Sequence, residues 1–127
     1  MSEAVTRGVR IVVTSRFHPE RSTPALSHWF FSYTVEIHND SEHTVQLLSR
    51  HWVITDGYGR DHHVRGAGVI GQQPVLQPGE NFTYTSACPL PTALGQMAGT
   101  YRMLGPEGEE FDAEIAPFAL VDPSAEN

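Results

Sequence analysis

Val45–Glu80 reads VQLLSRHWVITDGYGRDHHVRGAGVIGQQPVLQPGE, and two fold classes compete for it. Gly66-x-Gly68-x-x-Gly71 has the spacing of the phosphate-binding fingerprint of dinucleotide folds, whose glycines permit positive φ and a close approach of backbone to anion. Such a fold requires a strand, then the motif, then a helix whose N-terminus faces the pyrophosphate. Pro74 and Pro78 deny a helix after Gly71, because proline lacks an N–H and clashes with the preceding turn. Upstream, Val45–Thr55 reads as a strand with Leu48, Trp52 and Ile54 on one face, and Asp56-Gly57-Tyr58-Gly59 is turn chemistry. Arg60–Val64 reads as a short edge strand. The stretch is therefore a hairpin followed by a glycine-rich loop.

The flanking segments carry the same period of two. Val9, Ile11 and Val13 alternate with Arg10, Val12 and Thr14 in Gly8–Phe17, and Trp29, Phe31, Tyr33, Val35 and Ile37 line one face of His28–Asn39. His18–Ser27, with two prolines, reads as a loop, as does Leu90–Gln96. Asn81–Ser86, Met97–Leu104 and Glu109–Ile115 supply further strands, with Phe82, Tyr84, Tyr101, Met103, Phe111 and Ile115 as core candidates. About seven short strands without an amphipathic helix indicate an immunoglobulin/fibronectin type III-like antiparallel β-sandwich. Residues 1–127 are expected as a single domain, with 1–7 and 123–127 as flexible ends. Trp52 suits the buried tryptophan of such a sandwich and Tyr101 its tyrosine corner.

Composition narrows the function. With 39% hydrophobic and 18% charged residues the chain can bury a core. Met1–Gly8 lacks the apolar segment of a signal peptide and no run approaches a membrane span, so a cytoplasmic location without membrane insertion is expected. Cys88 is the one cysteine and cannot form an internal disulfide. Net charge is −7, and eight of the fifteen acids but only one arginine, Arg102, lie beyond residue 72. That field opposes nucleic acid. All eight basic residues are arginine, which removes the lysine chemistry of a P-loop or a Schiff base.

The chemical candidates are few. A loop nest of N–H groups at Gly66, Gly68 and Gly71, assisted by Arg60, Arg65, His62 and His63, is the candidate anion site; glycines that merely shape a tight connection are the competing reading. His62 and His63 are adjacent and point to opposite faces of a strand, so they do not chelate one ion, and no metal or other cofactor is expected. No nucleophile elbow or zinc-binding helix motif is present, and no catalytic residue is assigned.

The runs FFSYTVEIHN (30–39), VQLLSRHWVITDGYG (45–59), VRGAGVIGQQPVLQPGENFTYTS (64–86), MAGTYRM (97–103) and IAPFAL (115–120) resemble the bacterial ApaG proteins over most of the chain. The resemblance implies a fibronectin-type sandwich, a genetic association with the diadenosine tetraphosphate hydrolase ApaH, and a link to cobalt resistance and magnesium efflux. Similar domains in F-box proteins and a polymerase-delta-interacting protein look like protein-binding modules. The family's glycine motif maps onto Gly66, Gly68 and Gly71. The expectation is a non-enzymatic interaction module with a protein partner, and a phosphate-containing small molecule at the glycine loop is the alternative ligand.

Overall fold

A computed structural model describes residues 1–126. Its strands are β1 (Ser2–Thr6), β2 (Val9–Phe17), β3 (Trp29–Asn39), β4 (Val45–Asp56), β5 (Asp61–Ala67), β6 (Val75–Leu76), β7 (Asn81–Leu90), β8 (Leu94–Leu104) and β9 (Glu110–Val121). One sheet has the order β1-β2-β3-β7; the other has β5-β4-β8-β9, with β6 paired to the start of β4. Every pairing is antiparallel. The two inner faces bury one continuous apolar cluster, so the fold is the all-β sandwich that the period-two pattern implies.

Trp52 and Phe31, 2% and 0% exposed, lie between the sheets. The Trp52 ring meets Tyr33 at 5.2 Å, Phe118 at 6.0 Å and Tyr101 at 6.1 Å between centroids, each edge-on, the arrangement aromatic quadrupoles favour. Tyr101 does not form a tyrosine corner. It lies within β8 rather than at its start, and its hydroxyl meets that of Tyr84 on β7 across the sandwich. A hydroxyl with no water available needs a partner, and each tyrosine supplies the other's. Burial pushes both hydroxyls well above the ordinary tyrosine range.

Two strands change face in mid-course. The register of β4 against β8 shifts between Leu47 and Ser49, so Leu48 is an extra residue, and Leu47 and Trp52 both point inward although five residues apart. Leu47, fully buried, therefore fills the core position that simple alternation assigns to Leu48. A second shift lies opposite Met97 and Gly99 in β9, where Ile115 and Phe118 both face inward and Pro117 occupies the irregularity. That change of parity makes β9 appear to end at Ile115, whereas it continues to Val121.

The ends also differ from expectation. Ser2–Thr6, within the segment expected to be flexible, is a strand paired along β2, and the Glu114 N–H donates to Thr6 Oγ1 at 3.1 Å. Its few polar residues carry little periodic pattern, and the β2 ladder supplies the order. Pro123–Glu126 forms a 3-10 turn, and Asn127 lies outside the described residues. The expected 90–96 loop shrinks to 91–93.

Truncating Trp52 to alanine is expected to cost about 3–5 kcal/mol in chemical denaturation. In the same assay Leu47→Ala should cost about 2–5 kcal/mol and Leu48→Ala clearly less; equal losses would show that the bulge is not where the register puts it.

Candidate functional site

The β4–β5 hairpin brings the predicted residues together, and its turn is organised by Asp56. The Asp56 side chain is wholly buried, yet its carboxylate accepts the Tyr58 and Arg60 backbone N–H groups at 2.9 and 3.2 Å, Arg60 Nε at 3.1 Å and His62 Nε2 at 3.1 Å. Burial alone would raise its pKa, but the His62, backbone and Arg60 bonds together outweigh it and hold the carboxyl near 2. His62 is thereby a turn-stabilising residue. It leaves the opposite face of β5 from His63, as neighbours on a strand must.

With this turn fixed, the register pairs Arg50 with Gly66 and His51 with Arg65. The Arg50 guanidinium occupies the space a side chain at Gly66 would fill: a Cβ there would lie 2.9 Å from Cζ and both terminal nitrogens. Arg50 Nη1 donates to the Ala67 and Gly68 carbonyls at 3.1 and 2.9 Å. Gly68 has φ +62°, and an added Cβ would overlap the Gln72 carbonyl oxygen. Val69 and Gln72 exchange backbone hydrogen bonds at 2.8 and 2.9 Å around Ile70 and Gly71, both at positive φ, which is the primed turn of a tight hairpin. Gly68 N–H donates to the Leu48 carbonyl at 2.9 Å. The N–H groups of Gly68, Val69 and Gln72 are thus directed at backbone carbonyls.

Arg65 and His63 face outward. His63 Nδ1 lies 2.9 Å from His51 Nε2 with the rings stacked, so one ring's N–H donates to the other's bare nitrogen. Burial, then the charges of Arg65 and His63, lower the pKa of His51 against the pull of Asp112. Beside them, small side chains at Ser49, Gly66 and Thr100 leave a shallow cavity of about 300 Å³, bordered also by Arg65, Arg102 and Asp112. Arg102 is paired with Glu110 and Asp112 at 3.0 and 3.2 Å; among the described residues Arg65 has no such carboxylate partner. The candidate set therefore divides: Arg65 and His63 on the outer face, His62 and Arg60 on Asp56, and the glycines in a hairpin braced by Arg50.

The residues alone do not single out Arg50 and His51. Their signal lies in the turn: once Thr55 opposes Asp61, counting back along the hairpin places both beside the glycines and Arg65. A second cavity, about 440 Å³, opens at one end of the sandwich between the β1–β2, β3–β4 and β8–β9 connections. Arg7 reaches into it with its guanidinium 5.0 Å from the Phe111 ring centroid, beside Val45, His43, Glu107 and Glu109. Among the described residues no three His, Cys, Asp or Glu side chains converge as metal ligands, and no helix is long and apolar enough to cross a membrane.

Gly68→Val is expected to lower the denaturation midpoint, because the new side chain meets both positive φ and the Gln72 carbonyl, whereas Gly71→Asn should be nearly neutral. Because Asp56 titrates lower when folded, its contribution to stability is present above about pH 4 and disappears as pH falls through about 2. The stability gap between wild type and Asp56→Asn, followed by circular dichroism, should therefore close across that window.

The ApaG domain family matches residues 19–105. A Protein ApaG of Methylobacterium nodulans is 56% identical over 123 residues, covering 97% of this chain and 95% of that one. A Protein ApaG of Bradyrhizobium sp. strain BTAi1 is 54% identical over the same length, with 97% and 94% covered. A crystal structure from Bordetella pertussis, described as an ApaA protein, superposes with a TM-score of 0.88 at 51% identity, covering 91% of this chain and 94% of that one. With an ApaG domain across most of its length and relatives this similar from end to end, the chain belongs to the ApaG family.

Proposed function

We propose that the protein is a non-enzymatic, cytoplasmic interaction module that docks a protein partner at the loop-bearing end of the sandwich. The observation that supports this reading is the cleft of about 440 Å³ where three inter-strand connections meet. Its floor is half apolar, with Val45 and Phe111, and its rim carries Arg7, His43 and two glutamates, a mixture suited to a partner's apolar anchor within a charged surround. Loops on a rigid sandwich are a common place for recognition, since the scaffold holds them without requiring their own stability. A role in cobalt resistance or magnesium efflux would then be indirect, exerted through the partner.

A second reading has its own support in the outer-face cavity. Arg65, which has no carboxylate partner among the described residues and lies next to His51 and His63, offers a charge to a phosphate or pyrophosphate group. Arg102 contributes less, because Glu110 and Asp112 already neutralise it.

Affinity capture from the native cell with Arg7→Glu and Glu107→Arg variants separates the two. Under the docking reading these reversals lose a partner that wild type and Arg65→Ala both retain; equal recovery by all would overturn it. Under the phosphate reading, pyrophosphate shifts resonances of residues 49–51 and 63–66, and Arg65→Ala abolishes the shift. Calorimetry with cobalt or magnesium is expected to show no micromolar site.

A further inference from the structure

We propose that β7 is a self-pairing edge, and that two copies of this chain join along it into one continuous antiparallel sheet about a two-fold axis. The hydrogen-bond phase of the β3–β7 ladder exposes the necessary groups. Asn39 N–H donates to the Glu80 carbonyl, so Phe82, Tyr84, Ser86, Cys88 and Leu90 direct their backbone groups toward β3. The intervening Asn81, Thr83, Thr85, Ala87 and Pro89 direct theirs away from the sheet. Among the described residues β3 is the only strand paired to β7, so this row has no intramolecular ladder there.

The other sheet borders are managed differently. β1 and β9 lie against each other, joined by the Glu114 N–H to Thr6 bond, and Ser15 Oγ donates to the Ala119 carbonyl at 2.8 Å on the same side. β5 is open but carries the charged side chains of Asp61 and Arg65, which keep edges apart, with the polar His62 and His63 between them. β7 runs ten residues, NFTYTSACPL, without a charge. In a chain of net charge −7 it is the border along which two copies approach without opposing like charges.

The occupant is a second copy because the register is self-complementary. Centred on Thr85, antiparallel pairing sets Thr85 against its counterpart, Thr83 against Ala87 and Asn81 against Pro89. Pro89 lacks an N–H, so one bond is lost at each end and the interior remains complete. Cross-strand threonines are favourable neighbours, and the exposed side chains at 83, 85 and 87 are small. Glu36, opposite Thr83 on β3, is the nearest charge on that face, and strand spacings put the two copies' Glu36 about 20 Å apart, beyond a Debye length. The contact is smaller than the ~1,200 Å² of a standard interface, so the dimer is concentration-dependent.

Sedimentation equilibrium between about 10 and 500 µM tests the proposal. The apparent mass should rise from 14.1 kDa toward twice that value. Thr85→Lys, which sets two lysines opposite each other on an exposed face, should weaken association by about 5-fold. The β5 control Val64→Lys should leave it unchanged. In the wild-type protein, the Thr83, Thr85 and Ala87 amides should exchange more slowly at high concentration, a readout that survives if Thr85→Lys fails to fold. A monomeric mass throughout, equal dimerisation by Thr85→Lys, or concentration-independent exchange at these amides would overturn the proposal.

Discussion

The fit of the two sheets depends on the extra residue at Leu48. A strand presents alternate residues to the core, and without that insertion Leu47 and Trp52 would face opposite sides of β4. Because both face inward, Leu47 fills the core near the β6 end while Trp52 anchors the aromatic layer with Tyr33, Tyr101 and Phe118. The irregularity in β9 does the same for Ile115 and Phe118. Phe118 meets Trp52, so the two changes of parity converge on one contact.

The same strand positions the chemistry. β4 turns at Asp56, whose buried carboxylate collects donors from the turn and from His62, and this fixes the register that follows. Register then sets Arg50 beneath Gly66 and His51 beside Arg65. A buried carboxylate with several donors resists protonation, so the hairpin holds its geometry through the physiological pH range.

The surface divides by charge and by backbone. At the loop end, cation, carboxylates and an aromatic ring share one cleft; on the outer face, Arg65, Arg102 and His51 border another. The β7 edge has neither charge nor cover, and its features are those of the main chain. These surfaces belong to different parts of the sandwich, so binding at one does not require the others to be vacated. An acidic chain with localised arginines favours selective contacts over general attraction to polyanions.

The residues alone determined the class of fold, most strands and the central core, because period-two alternation is local and β3 shows it without interruption in Phe31, Tyr33, Val35 and Ile37. They also carried the family resemblance and excluded a helix after Gly71. Tertiary structure decided what alternation cannot encode: where parity breaks, which hydroxyl Tyr101 meets, and that Ser2–Thr6 gains order from β2. It likewise divided the glycine-site candidates, since Gly66, Gly68 and Gly71 share a spacing in the chain whereas their neighbours are set by pairing with β4. Arg50, sixteen positions before Gly66, is the physical reason that a side chain there would collide. Contacts between residues distant in sequence follow from register, and register is fixed only when a whole hairpin packs against its sheet.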